Sequence, residues 1–132
     1  MSQAIEVPVS AGELFDKQTI LRIKQERISD AAKLAHVGRE LGLLDGIAAG
    51  LLQGAPQAAD VNVLVAELHA VNSTLWDLEN SVRAAEAAQR FDAAFIGSAR
   101  SIYAGNDRRA ALKLRINQLL GSDIVEVKSH TS

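Results

Sequence analysis

The sequence predicts an all-α protein, a four-helix bundle with a small two-stranded β-ribbon pairing its N- and C-terminal segments. Three observations predict it. Apolar residues recur at three- and four-residue spacing through four stretches, as a buried helix face requires. Cap and breaker residues separate those stretches: Ser10, Asp30, Gly54-Ala55-Pro56, Asp92 and Gly121. Short β-branched segments, Ile5-Glu6-Val7-Pro8-Val9 and Ile124-Val125-Glu126-Val127, lie at opposite ends of the chain.

Each element has its own warrant. Pro8 lacks an amide donor and confines the first strand to an edge. The terminal strands are each other's simplest partner, because a lone strand leaves its backbone groups unpaired. Ser10 and Glu13 match a capping box, so a first helix runs from about Ala11 to Ile28. Asp30 caps a second helix with the stripe Leu34, Val37, Leu41, Leu44, Ala48 and Leu51, ended by Gly54-Ala55-Pro56. Asp60 opens a third, on Leu64, Leu68, Val71, Leu75, Leu78 and Val82, with a charged end near Arg90. Asp92 caps the fourth, which runs to about Leu120 with Gly121 as its C′ residue. Gly105-Asn106-Asp107 marks a break or kink in that last helix.

Composition narrows the classes of function. The chain has 132 residues, 48% of them hydrophobic and 23% charged, with net charge −2. That is one domain, residues 1–132, with no basic field for nucleic acid. There is no cysteine, which excludes disulfides and thiolate chemistry. No segment approaches the roughly 18 apolar residues of a membrane span. The first residues lack the basic start and apolar run of a signal peptide, so the expected location is cytoplasmic. The three histidines stand far apart without metal-ligand spacing, and neither a metal site nor a cofactor is expected.

The informative residues are polar ones at positions that should be apolar. Lys17 and Lys24 interrupt the heptad seam Leu14, Leu21, Ile28, and Asn106, Arg109 and Lys113 interrupt the seam of the fourth helix. Unpartnered buried charge costs several kcal/mol, so these groups must be paired, solvated in a cleft, or open to a ligand. Helices three and four, joined tightly near Phe91, are antiparallel, so residues whose numbers sum to about 182 lie level. Asn72 then faces Arg109, Trp76 faces Asn106, and Glu79 faces Tyr103. Antiparallel terminal strands bring Lys17 level with Lys113 and Lys24 near Asn106. The predicted layer holds Asp16, Lys17, Lys24, Asn72, Trp76, Glu79, Tyr103, Asn106, Arg109 and Lys113. Its four basic groups outnumber its two carboxylates, which favours a phosphate- or carboxylate-bearing anion. The competing reading is a closed network that fixes helix register. Trp76 and Tyr103 are as readily core residues as stacking platforms.

Long segments resemble a bacterial family of small helical proteins built on a domain of unknown function. The resemblance rests on Val7-Pro8-Val9-Ser10, Gly12-Glu13-Leu14, Asp16-Lys17, Thr19-Ile20-Leu21, Ile23-Lys24 and Glu26-Arg27-Ile28. It continues through Leu75-Trp76-Asp77, Asn106-Asp107-Arg108-Arg109-Ala110, Lys113, Ile116-Asn117 and Gly121-Ser122, and covers nearly the whole chain. Gln18 and the Ala-rich middle of helix two depart from the family pattern. The resemblance implies a bacterial source. It also implies a setting of cell-surface polysaccharide and glycosyl transfer, which suits a sugar-phosphate or nucleotide-sugar ligand.

Three functions are compatible with the sequence. The first is a cytoplasmic domain binding an anionic small molecule in the polar layer, with Lys17, Lys24, Arg109 and Lys113 on the anion. The second is a non-catalytic adaptor or scaffold acting through protein contacts. Helix two is apolar on more than one face, and Leu43, Leu44, Ile47 and Leu51 suggest a homodimer. The third is a small helical enzyme of the chorismate mutase type, whose spacing of Arg and Lys this chain does not reproduce.

Overall fold

The computed structural model describes residues 4–122, which form four helices: α1 Ala11–Arg27, α2 Ala31–Leu52, α3 Ala58–Ala87 and α4 Ala93–Leu120. Their starts follow the sequence closely. The Ser10 hydroxyl accepts the Glu13 amide at 3.1 Å, Asp30 accepts that of Lys33 at 2.9 Å, and Asp92 accepts that of Phe95 at 3.1 Å. α3 begins at Ala58, two residues ahead of Asp60, with no side-chain cap. α4 ends on Gly121 in the left-handed conformation, φ 63°.

α1 is the centre of the arrangement. It packs against each of the other three helices, while α3 and α4 form a long antiparallel pair. A helix with neighbours on several sides has only a narrow solvent face, here taken by Lys17, Arg22, Gln25 and Glu26, so further polar residues fall inside. Accordingly Gly12, Asp16, Gln18 and Thr19 are buried along with Leu14, Phe15, Leu21 and Ile23. The main core joins Leu14 and Phe15 of α1 to Val61 and Leu68 of α3 and to Leu112 and Ile116 of α4. A smaller cluster of Leu21, Val37 and Leu41 fastens α2 to α1. Among the described residues, no helix is long and apolar enough to cross a membrane.

Two expectations are corrected. No strand occurs among the described residues, so the terminal β-ribbon does not fit this fold. Ile5 is 87% exposed and the segment around Pro8 carries no regular structure; Ile124–Val127 lies outside the described residues. Side chains join the two ends instead. Asn117 Oδ1 accepts the Gly12 amide at 2.6 Å and Ser122 Oγ accepts the Ala11 amide at 3.3 Å. These bonds satisfy first-turn donors of α1 that a strand pairing would have left untouched.

The second correction concerns α4, which runs unbroken through Gly105-Asn106-Asp107. Gly105 permits close packing and makes no turn: a Cβ there would lie 2.6 Å from Leu75 Cδ2. Gly12 plays the same part between α1 and α4, where a Cβ would fall 2.3 Å from the Lys113 carbonyl oxygen.

Candidate functional site

The polar layer is organised around Asp16, whose residue surface is 1% exposed. Arg109 reaches it from α4 with both faces of its fork, Nε donating to Oδ1 at 2.8 Å and Nη2 donating to Oδ2. Asn72 comes from α3 and donates from Nδ2 to Asp16 Oδ1 and to Thr19 Oγ1, each at 2.9 Å. Thr19 in turn donates to the Asp16 carbonyl at 2.7 Å. One carboxylate thus ties α1, α3 and α4 together. Among the described residues no buried side-chain nitrogen or oxygen is left without a partner.

Burial by itself raises the Asp16 carboxyl. Hydrogen bonds from Arg109 and Asn72, with the charges of Arg109 and Lys113, outweigh that effect and hold it below the ordinary carboxylate value. It is therefore ionised at neutral pH. Lys113 is also buried, and its Nζ lies 2.7 Å from Glu13 Oε2. The Glu13 carboxylate is turned to this pairing, so only the Ser10 half of the expected capping box is seen.

Three of the four cations predicted to await an anion are paired within the protein. Arg109 pairs with Asp16 and Lys113 with Glu13, while Lys17 is exposed and pairs with Glu40 of α2 at 2.7 Å. Lys17 stands away from the layer because α1 turns that side toward α2, and Lys24 is half-buried without lining the cleft described next. Tyr103 is 71% exposed and points away.

Beside the closed network lies an open cleft of about 430 Å³. Asn72 and Arg109 form part of its floor, Ile20, Ile23 and Leu75 supply apolar surface, and Trp76, Asn106 and Glu79 complete the predicted residues that line it. Asn80 and Arg83 line it too. The sequence reading passed over both. Arg83 stands one turn beyond Glu79, with Nε 3.8 Å from Glu79 Oε2, so the i,i+4 spacing was the available signal. Thr19 and Glu13 were also missed as network members, because the expected α1 seam assumed one buried stripe. No family model, curated protein or solved structure matches this chain. Assignment therefore rests on the geometry of the cleft. Among the described residues no group of three or more His, Cys, Asp or Glu side chains could hold a metal ion.

Proposed function

We propose that this chain is a cytoplasmic, non-catalytic binding module for a small polar molecule bearing one acidic group. The observation that carries the reading is the division of the layer into a sealed network and an adjoining cleft. The network supplies a rigid floor, since none of its buried side-chain donors or acceptors lacks a partner. The cleft supplies recognition: Trp76 offers a flat face, the exposed amides of Asn80 and Asn106 offer donors and acceptors, and Arg83 meets the acid. Arg83 takes the role first given to Lys17, Lys24, Arg109 and Lys113, because it lines the cleft, the three lysines do not, and Arg109 is engaged by Asp16; its own ion pair with Glu79 is long, 3.8 Å. Asp16 is enclosed by Arg109 and Asn72 and does not line the cleft, so its carboxylate is not presented to a bound molecule. A phosphorylated or nucleotide-linked sugar has the required mixture of planar, hydroxyl and acidic groups.

The test uses the single tryptophan as reporter. Titration with inorganic phosphate and with sugar phosphates should give a saturable change in Trp76 fluorescence. Arg83→Gln should weaken it at least about ten-fold, the scale of a lost charge-assisted hydrogen bond, with no fall in Tm. Native mass spectrometry of protein prepared gently from its host should also show a retained small molecule. An apo mass together with indifferent fluorescence would sink the reading.

A second reading, the adaptor, is favoured by α2. Leu43, Ile47 and Leu51 are 69%, 55% and 43% exposed, whereas Leu44 packs inward on the core. A second copy covering this stripe would make the protein a homodimer. Leu43→Glu with Ile47→Glu should then convert a sedimenting dimer to monomer.

A further inference from the structure

The cleft continues past Arg83. A second hollow of about 550 Å³ follows α3 toward the end of the α3–α4 hairpin, walled by Val82, Ala87 and Phe95 with Glu79, Arg83 and Glu86 also lining it, and most of its surface is apolar. Glu79 and Arg83 border both spaces, so a polar compartment and an apolar one meet at these two side chains. The cause is the unequal length of the helices. α1 ends at Arg27, whose guanidinium reaches Asp77 at 2.5 Å. Along the end of α3, from Val82 to Ala87, about 8 Å of helix, no α1 residue lines the hollow. Ile20 and Ile23 wall the covered part of the groove, and nothing on α1 reaches the rest. Phe95 is held as a wall by Phe91, edge to face at 5.3 Å.

We propose that the molecule bound in the cleft is an amphiphile. Its hydrogen-bonding head lies among Trp76, Asn80 and Asn106, its acidic group meets Arg83 at the junction, and an alkyl or aryl tail lies along Val82, Ala87 and Phe95. The inference rests on the reading of the cleft as a binding site and adds the tail. Continuity argues for a tail of the same ligand: an apolar chain leaving the polar compartment past Arg83 has this hollow as its direct continuation. Each compartment is within the roughly 300–1,000 Å³ of ordinary ligand pockets, so one medium-sized molecule spans both.

The experiment is a titration of the full chain with straight-chain alkyl phosphates, methyl to octyl, kept below micelle formation and followed by Trp76 fluorescence. Sedimentation is run in parallel. Affinity is expected to rise about four-fold per added methylene, the value of burying that group. Ala87→Gln, at an exposed position that leaves the core untouched, should flatten this dependence while methyl phosphate binds as before; Phe95→Ser should do the same. Arg83→Gln should weaken every member alike. Equal affinity along the series would overturn the tail and leave the cleft standing as a site. A chain-length dependence that survives both hollow variants would place the tail elsewhere and also overturn the inference. So would a dimer dissociated by Phe95→Ser, since a second copy would then cover the hollow. If no member of the series moves Trp76, the cleft reading falls and this inference with it.

Discussion

Asp16 carries more of the structure than any other single polar residue. Its two oxygens receive Arg109 and Asn72, and its own backbone carbonyl receives Thr19. Asp16→Asn would leave Arg109 beside a neutral amide in a buried setting, and is expected to cost about 3 kcal/mol, read by urea unfolding. Because the folded pKa lies below the unfolded one, the stabilisation from this group is complete above the unfolded value. It is lost only as pH falls below about 4 through the depressed folded value. Thermal melts from pH 7 to pH 2 should show that acid-dependent loss in the wild-type protein and a shallower one in Asp16→Asn. A loss already complete at pH 5 would contradict the assignment. Arg109→Lys keeps the charge but not the two-toothed contact, and is expected to cost about 1–2 kcal/mol.

At the scale of the helices, glycine does opposite things in different places. Gly12 and Gly105 let α4 approach α1 and α3, so alanine at either position meets atoms already there. Gly105→Ala presses on the Leu75 side chain, which can yield, and should cost about 1–2 kcal/mol. Gly12→Ala presses on the Lys113 backbone carbonyl, which cannot, and should cost about 3 kcal/mol or more. α2 has Gly38, Gly42, Gly46 and Gly50 at every fourth position, each with open space where a Cβ would stand. If that side faces water, Gly42→Ala with Gly46→Ala should stabilise the helix by about 0.5–1 kcal/mol per site and raise Tm. A fall in Tm, steeper at higher protein concentration, would show a second copy packed on α2. α1 carries polar residues for a different reason. It lies among three other helices, and its polar groups link them.

For the whole molecule, the two lysines first assigned one task are expected to part company. Lys17→Met removes an exposed ion pair with Glu40 and should change stability by less than about 0.5 kcal/mol. Lys113→Met removes a buried ammonium that pairs with Glu13 and whose charge also favours the ionised Asp16 carboxylate, so stability should fall by about 1–2 kcal/mol. Chemical denaturation of both variants checks the contrast. The four helices were legible in the sequence because caps and apolar spacing act within one or two turns, and Ser10, Asp30, Asp92 and Gly121 do what their chemistry predicts. Asn72 and Arg109 were legible as neighbours, since the tight link near Phe91 sets α3 and α4 antiparallel; α1 was brought to them through the terminal ribbon, and what holds it there instead is Asn117 and Ser122 on the Gly12 and Ala11 amides. The terminal ribbon was misread because β-branched residues suit an exposed extended segment as well as a strand, and Asn117 and Ser122 already hold the ends together. The sequence by itself determined that there are four helices and where α1, α2 and α4 begin. Tertiary structure alone decided which carboxylate pairs with Lys17, Arg109 and Lys113, that Lys17 and Tyr103 point away, and that a cleft opens beside the network. The physical reason is that caps and spacing are properties of one helix, whereas charge pairing and empty space depend on how far, and at what angle, several helices approach.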